Sequence, residues 1–326
     1  MKANLTARNA RALLTFALPL LAAAAVHAQA LWKPDHPVTL VVPYAAGGGT
    51  DVTARAVSRQ LAVLWGEPVV VENLPGADGL IGTRRVMDAR PDGHTLLLQV
   101  PSLVLMKYTP GMKGIDPLAR LEPVTAIAQA PNAFVVSSKL PVRTLPELFQ
   151  YCRTSRKPCS VGAGENIGRL TGKRLAAESG VPDLIVVSYR GTAAIVQDLI
   201  AGNLDFAVTG ITAALPHHRA GTLRIVATQG PRRAAVLPEV PTTAETGSPQ
   251  YDSVSWFGLF APRGTPARIT TSIVVAVREA VNDAGVLKAV SAASAEPVAN
   301  SPVEFADLVR KEDKKLGALA QQYPIE

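Results

Sequence analysis

The chain has 326 residues, 48% hydrophobic and 18% charged, with 25 Gly, 26 Pro and a formal net charge of +7. This balance excludes a disordered chain, a disulfide-dense miniprotein and a coiled coil, and the length accommodates two domains with ordinary cores.

Much of the apolar and basic excess lies at the amino end. Lys2, Arg8 and Arg11 precede an apolar run over residues 12–26, and Val26-His27-Ala28 follows with small residues. This is the layout of a secretory leader, cut after Ala28 or, as second choice, Ala30. The run has 15 residues, short of the roughly 20 that span a bilayer, so a soluble exported protein is expected. Removing the three leader cations lowers the charge from +7 to +4. No later Lys/Arg block exceeds two adjacent residues, so a nucleic-acid partner has no footprint.

Beyond the leader, strands and helices alternate. A short apolar strand over 38–43 leads through glycines to a helix over 51–65, with Val57, Leu61 and Leu64 on one stripe. A strand over 68–72, a helix near 80–89 and a strand over 95–98 follow, the last after the turn Pro91-Asp92-Gly93. A second series begins with a strand over 134–136 and a short helix opened by Thr144. It continues with a strand over 160–162, a helix over 170–178, a strand over 184–187 and a helix over 192–201 stopped by Gly202-Asn203. Strands over 206–208, 223–227 and 256–262 come next, then a helix carrying Ile269, Ile273, Val277 and Val281. Ser301-Pro302-Val303-Glu304 opens a last helix ending near Gln321. Such alternation implies an α/β fold with parallel sheet.

The strongest local signal is VVPYAAGGGTDVTAR, where a buried strand ends, three glycines follow and a helix starts. Backbone N–H groups at such a start attract a carboxylate or phosphate. The loop is neither a Walker A nor a dinucleotide fingerprint. A tight turn with Asp51 as a cap is the plain structural alternative. Gly162-Ala163-Gly164-Glu165-Asn166 and Tyr189-Arg190-Gly191-Thr192 hold equivalent places in the second series, and loops of this kind from two units would line one cleft.

Catalytic and metal patterns do not assemble. His36, His94, His217 and His218 show no HExxH spacing, His217-His218 reads as a solvated pair, and no GxSxG elbow occurs. No enzyme activity, cofactor or metal is expected. Cys152 and Cys159, the only cysteines, fit a local disulfide, two free thiols or, least well, a two-thiol metal site.

The segments VTLVVPYAAGGGTDVTARAVSRQLAVLWGEPVVVENLPGADGLIG, ARPDGHTLLL, SYRGTAAIVQDLIAGNLDFAV, RIVATQGPRRAAVLPEVPTTAETG and SWFGLFAPRGTPARI resemble the Bug (TctC-like) periplasmic substrate-binding proteins of tripartite tricarboxylate transporters. The resemblance runs over about residues 35–317. It implies a type II periplasmic-binding-protein fold, two α/β lobes joined by a hinge crossed twice. Residues 31–130 and 258–326 would form lobe 1, residues 131–257 lobe 2, and residues 1–28 the signal peptide.

The resemblance further implies an organic carboxylate gripped by backbone N–H groups and waters at Tyr44, Ala46, Gly47, Gly48, Asp51, Gly191, Thr192 and Asp205. Asp51 and Asp205 would repel an anion directly, so each is expected to accept from a bridging water or a ligand hydroxyl or amine. Tyr44 has a second reading as a wall against the ligand's carbon skeleton. Ser102, Gly164, Asn166 and Arg169 complete the candidate set; Arg169 stands where the family usually has His, and Gln99-Val100-Pro101-Ser102 replaces a usual glycine-rich turn. Arg169 reads either as a carboxylate clamp or as a surface helix residue.

The expected role is a monomeric periplasmic receptor that delivers its ligand to the permease subunits of a tripartite transporter. The alternative is a ligand sensor acting on a two-component sensor kinase.

Overall fold

The computed structural model describes residues 31–325 apart from 113, 165, 190, 191 and 293. The predicted leader, and with it residues 1–28, lies outside the described residues. Trp32–Glu326 forms one compact unit.

The first series runs β1 (Val38–Val42), α1 (Gly49–Trp65), β2 (Val69–Asn73), α2 (Leu80–Met87), β3 (Thr95–Gln99) and the single turn α3 (Ser102–Leu105). A long strand, β4 (Leu121–Ser137), leads out of it. The second series is α4 (Leu145–Thr154), β5 (Ser160–Ala163), α5 (Asn166–Glu178), β6 (Ile185–Ser188), α6 (Thr192–Ala201), β7 (Phe206–Gly210), α7 (Ile211–Arg219) and β8 (Leu223–Thr228). The chain then forms β9 (Val254–Pro262), α8 (Ala267–Ala280), α9 (Ala284–Ala292), β10 (Glu296–Pro297) and α10 (Pro302–Gln322).

Among the described residues the strands order as β2-β1-β3-β9-β4-β7-β5-β6, with β8 and β10 also pairing to β4. Strands β1, β2 and β3 are mutually parallel, as are β5, β6 and β7, while β9 runs antiparallel to β3 and β4. The strand β4 belongs to both halves. Its portion up to Pro131 pairs with β9, and from Asn132 onward it pairs with β7 and β8. The chain passes between the halves twice, along β4 and again between β8 and β9.

Alternation along the strands builds two core layers in the first half. Val38, Leu40 and Val42 point to one side with Leu96 and Leu98, where α1, α8 and α9 cover them. Val41 and Leu97 point the other way, into a layer with Phe260, Trp256 and Phe305 of α10. Helix α5 joins both halves, since Leu170 packs in that second layer and Leu175 among Phe134, Phe149 and Phe206. Helix α10 starts as its sequence demands, with a capping box in which Ser301 and Glu304 each satisfy the other's backbone N–H.

Two expectations change. The strand expected at 134–136 is the end of the 17-residue β4. Pro123 and Pro131 disguised the remainder, because proline removes a ladder donor; the ladder shifts register between Pro123 and Thr125 and again between Ala126 and Ala128. His217 and His218 lie in the last turn of α7, and His218 Nδ1 accepts the Ile225 N–H at 3.1 Å, so this residue is tied to β8 rather than merely solvated.

Candidate functional site

The loop from β1 to α1 is the first wall. Ala46, Gly47 and Gly48 are exposed beyond the half-buried Tyr44. Gly47 holds φ +88°, a left-handed conformation that a side chain would strain. Gly48 caps α1 with no side-chain hydrogen bond, so the first-turn N–H groups are left to water or a ligand.

Asp51 explains how this loop keeps its shape. It is only 4% exposed. Its carboxylate accepts from Gly47 N–H at 2.9 Å, Arg55 Nε at 3.0 Å and Asn73 Nδ2 at 3.0 Å. Asn73, the last residue of β2, also donates to the Tyr44 carbonyl at 3.1 Å and accepts from Arg55 Nη2 at 2.8 Å. Burial alone would raise the Asp51 pKa, but the bonds from Gly47, Arg55 and Asn73 outweigh it and hold the carboxyl below the usual carboxylate range. The expected water- or ligand-facing acceptor is therefore a buried brace for the glycine loop.

The second wall follows β3. The Tyr44 hydroxyl donates to Gln99 Oε1 at 2.5 Å and lies 2.7 Å from Ser102 Oγ. Gln99, fully buried, also accepts Val100 N–H at 2.7 Å and donates to Thr83 Oγ1 at 3.3 Å. Tyr44 is thus fixed by its hydroxyl, whatever its ring contributes.

From here the network reaches the second half. Asn166 Nδ2 lies 3.4 Å from the Ser102 carbonyl and 3.3 Å from Thr109 Oγ1. Asn166 has no exposed surface, and among the described residues its Oδ1 has no hydrogen-bond partner. One turn further along α5, Arg169 donates from Nη2 to Asp78 Oδ2 at 2.5 Å, while its buried Nε has no partner among the described residues. Both side chains of this ion pair are 21% exposed, so Arg169 is neither an ordinary surface residue nor free of a carboxylate already. Asp78 is presented by a strained turn in which Ala77 and Asp78 hold φ 47° and 49°, a region disfavoured for side-chain-bearing residues by roughly 1 kcal/mol each.

The remaining candidates sit at the ends of β5 and β6. Gly164 follows β5, Thr192 opens α6, and Tyr189 N–H bonds to the Ala163 carbonyl at 2.8 Å, which holds the two loops side by side. Gly191 lies outside the described residues. The Tyr189 hydroxyl donates to Asp198 Oδ2 at 2.7 Å; burial and then Asp198 push its pKa up to about 12.

Asp205 is a correction. It precedes β7, and its carboxylate accepts Ser160 N–H at 2.7 Å and Ser160 Oγ at 2.9 Å at the start of β5. It therefore lies at the opposite edge of the parallel strands from Gly164, separated by the length of β5, about 13 Å at 3.3 Å per residue. Its role in the structure is to pin β5 to β7. Cys152 and Cys159 are joined as a disulfide that ties α4 to the chain just before β5.

Tyr44, Ser102, Asn166 and, through Asp78, Arg169 thus gather where the two halves meet. Sequence reasoning missed Gln99, Asn73, Asp78 and Thr109, whose partners are distant in the chain. The only sequence signal for Asp78 was the GADG turn itself.

A family model described as the tripartite tricarboxylate transporter family receptor matches residues 53–325. Protein BugT of Bordetella pertussis is 31% identical over 295 residues, 89% of this chain and 90% of that protein. The structure of MatC from Rhodopseudomonas palustris with bound malate is similar with a TM-score of 0.77 at 29% identity, covering 88% of this chain and 99% of that one. A second R. palustris structure, with adipate, has a TM-score of 0.80 at 31% identity and covers 90% and 98%.

Proposed function

Because the chain belongs to the tripartite tricarboxylate transporter receptor family, a family of periplasmic binding proteins of mixed α/β fold, we propose that it binds a small organic carboxylate between two lobes and hands it to that transporter's membrane subunits. In this reading residues 31–130 with 258–326 form one lobe and residues 131–257 the other. The two passages of the chain between the sheet halves serve as the hinge. The protein works by closure rather than catalysis, exported to the periplasm with its leader cut near Ala28.

The observation that carries this reading is the pairing of two unfinished polar surfaces at one junction. On one side stands α1 with no side-chain cap at Gly48, and on the other α5 with the buried Asn166 Oδ1 and Arg169 Nε, unpartnered among the described residues. N–H donors and a guanidinium suit a carboxylate, while an acceptor such as Asn166 Oδ1 suits a hydroxyl or a bridging water. The relatives with malate and adipate make dicarboxylates the first class to test.

Differential scanning fluorimetry and calorimetry against mono-, di- and tricarboxylates test the proposal. A ligand at about 100 times its Kd should stabilise the protein by about 2.7 kcal/mol. A panel in which no carboxylate raises the melting temperature or gives a binding isotherm would overturn it.

A further inference from the structure

At the other edge of the same sheet, ahead of β1 and β3, the chain places two histidines together that its sequence keeps far apart. His36 precedes β1 and His94 immediately precedes β3; the two strands are parallel neighbours, and Thr39 N–H bonds to the His94 carbonyl at 2.8 Å. The imidazole rings stack with centroids 3.5 Å apart and planes within 7°. Asp35 Oδ1 lies 2.7 Å from His36 Nδ1 and 3.2 Å from His94 Nε2.

We propose that Asp35, His36 and His94 form a binding site for a divalent first-row transition-metal ion of the zinc class. Three observations support it. The donor atoms of the three side chains all lie within 4.8 Å of one another. A tetrahedral ion with bonds of about 2.0–2.1 Å holds its ligands roughly 3.3 Å apart, so the 3.2 Å separation of Asp35 Oδ1 from His94 Nε2 matches such an edge, while the 2.7 Å hydrogen bond to His36 Nδ1 would open as the ion enters. Because an imidazole lone pair lies in its ring plane, ligation by both rings requires the exposed His36 to turn out of its stack on His94.

Second, His94 is 12% exposed, and among the described residues neither ring nitrogen makes a directed hydrogen bond, although Nε2 lies 3.2 Å from Asp35 Oδ1. An imidazole faced by carboxylates on both sides without a directed hydrogen bond to either is an arrangement that a bound cation would complete. Ligation through Nε2 would satisfy one nitrogen. The other faces Asp92 Oδ1 at 3.5 Å, in the place of the carboxylate that commonly orients a metal-bound histidine.

Third, the site is reachable and has one firm wall. Two open depressions of about 450 and 610 Å³ meet at His36, Asp92 and His94, leaving room for water as the remaining ligand. Trp32 packs edge-on to His94 with centroids 5.6 Å apart. Two imidazoles and one carboxylate favour zinc, copper or nickel over calcium or magnesium, which prefer all-oxygen shells. The inference stands apart from carboxylate binding, because none of these residues touches the junction of the halves described above.

The test is a titration of tag-free protein with Co2+, read by visible d–d absorption and by quenching of Trp32 fluorescence, followed by displacement with Zn2+. We expect 1:1 binding, an affinity loss of at least tenfold in H36A, and a loss of about 10–100-fold in D92N, which acts through His94. H94A should abolish the cobalt bands. Should H94A fail to fold, H36A decides the matter, since His36 is 59% exposed and its loss leaves the core intact. Equal affinity in wild type and H36A, or binding only at millimolar metal, would overturn the site. Carboxylate binding measured on H36A should be unchanged, which keeps failure here distinct from failure of the receptor reading.

Discussion

Replacing Asp51 by alanine should damage both stability and ligand affinity, because one buried carboxylate holds the whole glycine loop. The bonds from Gly47 N–H and Asn73 Nδ2 go to a charged acceptor in a nearly dry site and contribute about 1.5 kcal/mol each. Arg55 is 46% exposed, so its i,i+4 pair adds only about 0.3–0.5 kcal/mol. D51A should therefore cost about 3 kcal/mol, or a fall in melting temperature of roughly 5 °C for a folded unit of this size. Carboxylate affinity should fall at least tenfold in calorimetry, since the loop then has to be ordered on binding. The pH dependence has a definite sign. Asp51 is held below its ordinary value of 3.8, so its contribution is complete above that value and disappears as pH falls through the lower folded one. The difference in melting temperature between wild type and D51A should stay constant from pH 7 to 5 and narrow only below about pH 4. A D51A protein with unchanged melting temperature and affinity would refute the assignment of Asp51 as the brace.

Three further outcomes follow from the packing. In a double-mutant cycle of R169A and D78A, ligand affinity should show coupling of about 1–2 kcal/mol, because either single change breaks the same pair across the junction; coupling near zero by calorimetry would show that the pair does not act in binding. Reduction of Cys152–Cys159, whose ends are seven residues apart, should lower stability by about 2 kcal/mol in denaturant melts with and without dithiothreitol. G82A would place a Cβ 2.8 Å from Pro43 Cβ and 3.0 Å from the Leu74 carbonyl, so α2 has to move off β1; a loss of about 1–3 kcal/mol is expected in thermal denaturation.

The legible parts of the fold are those whose signals are local. The strands at β1, β2 and β3 are uninterrupted β-branched or leucine runs closed by turn residues, and the start of α10 is written in four consecutive residues. The illegible parts carry a local contradiction that tertiary contacts override. Pro123 and Pro131 sit in β4, where β9 pairs with it regardless, and Pro216 sits inside α7, where Ala214 and Leu215 are buried against the sheet. The glycine loop was readable for the same reason as the strands. Its brace was not, because Asn73 and Gln99 reach Asp51 and Tyr44 only after β2 and β3 flank β1.

One rule nonetheless separates the site candidates without any coordinates. In a parallel sheet, residues that follow strands share one edge and residues that precede them share the other. Tyr44, Ser102, Gly164 and Thr192 follow β1, β3, β5 and β6, and Tyr44, Ser102 and the start of α5 connect through hydrogen bonds at that edge. Asp205 precedes β7, which places it at the other edge; the structure puts it beside Ser160 at the start of β5. His36 and His94 precede β1 and β3 by the same logic, and it is their shared edge, not any spacing motif, that brings two imidazoles together. Strand polarity thus divides this sheet into an edge with N–H donors and a guanidinium, suited to a carboxylate, and an edge whose histidines and Asp35 suit a metal cation.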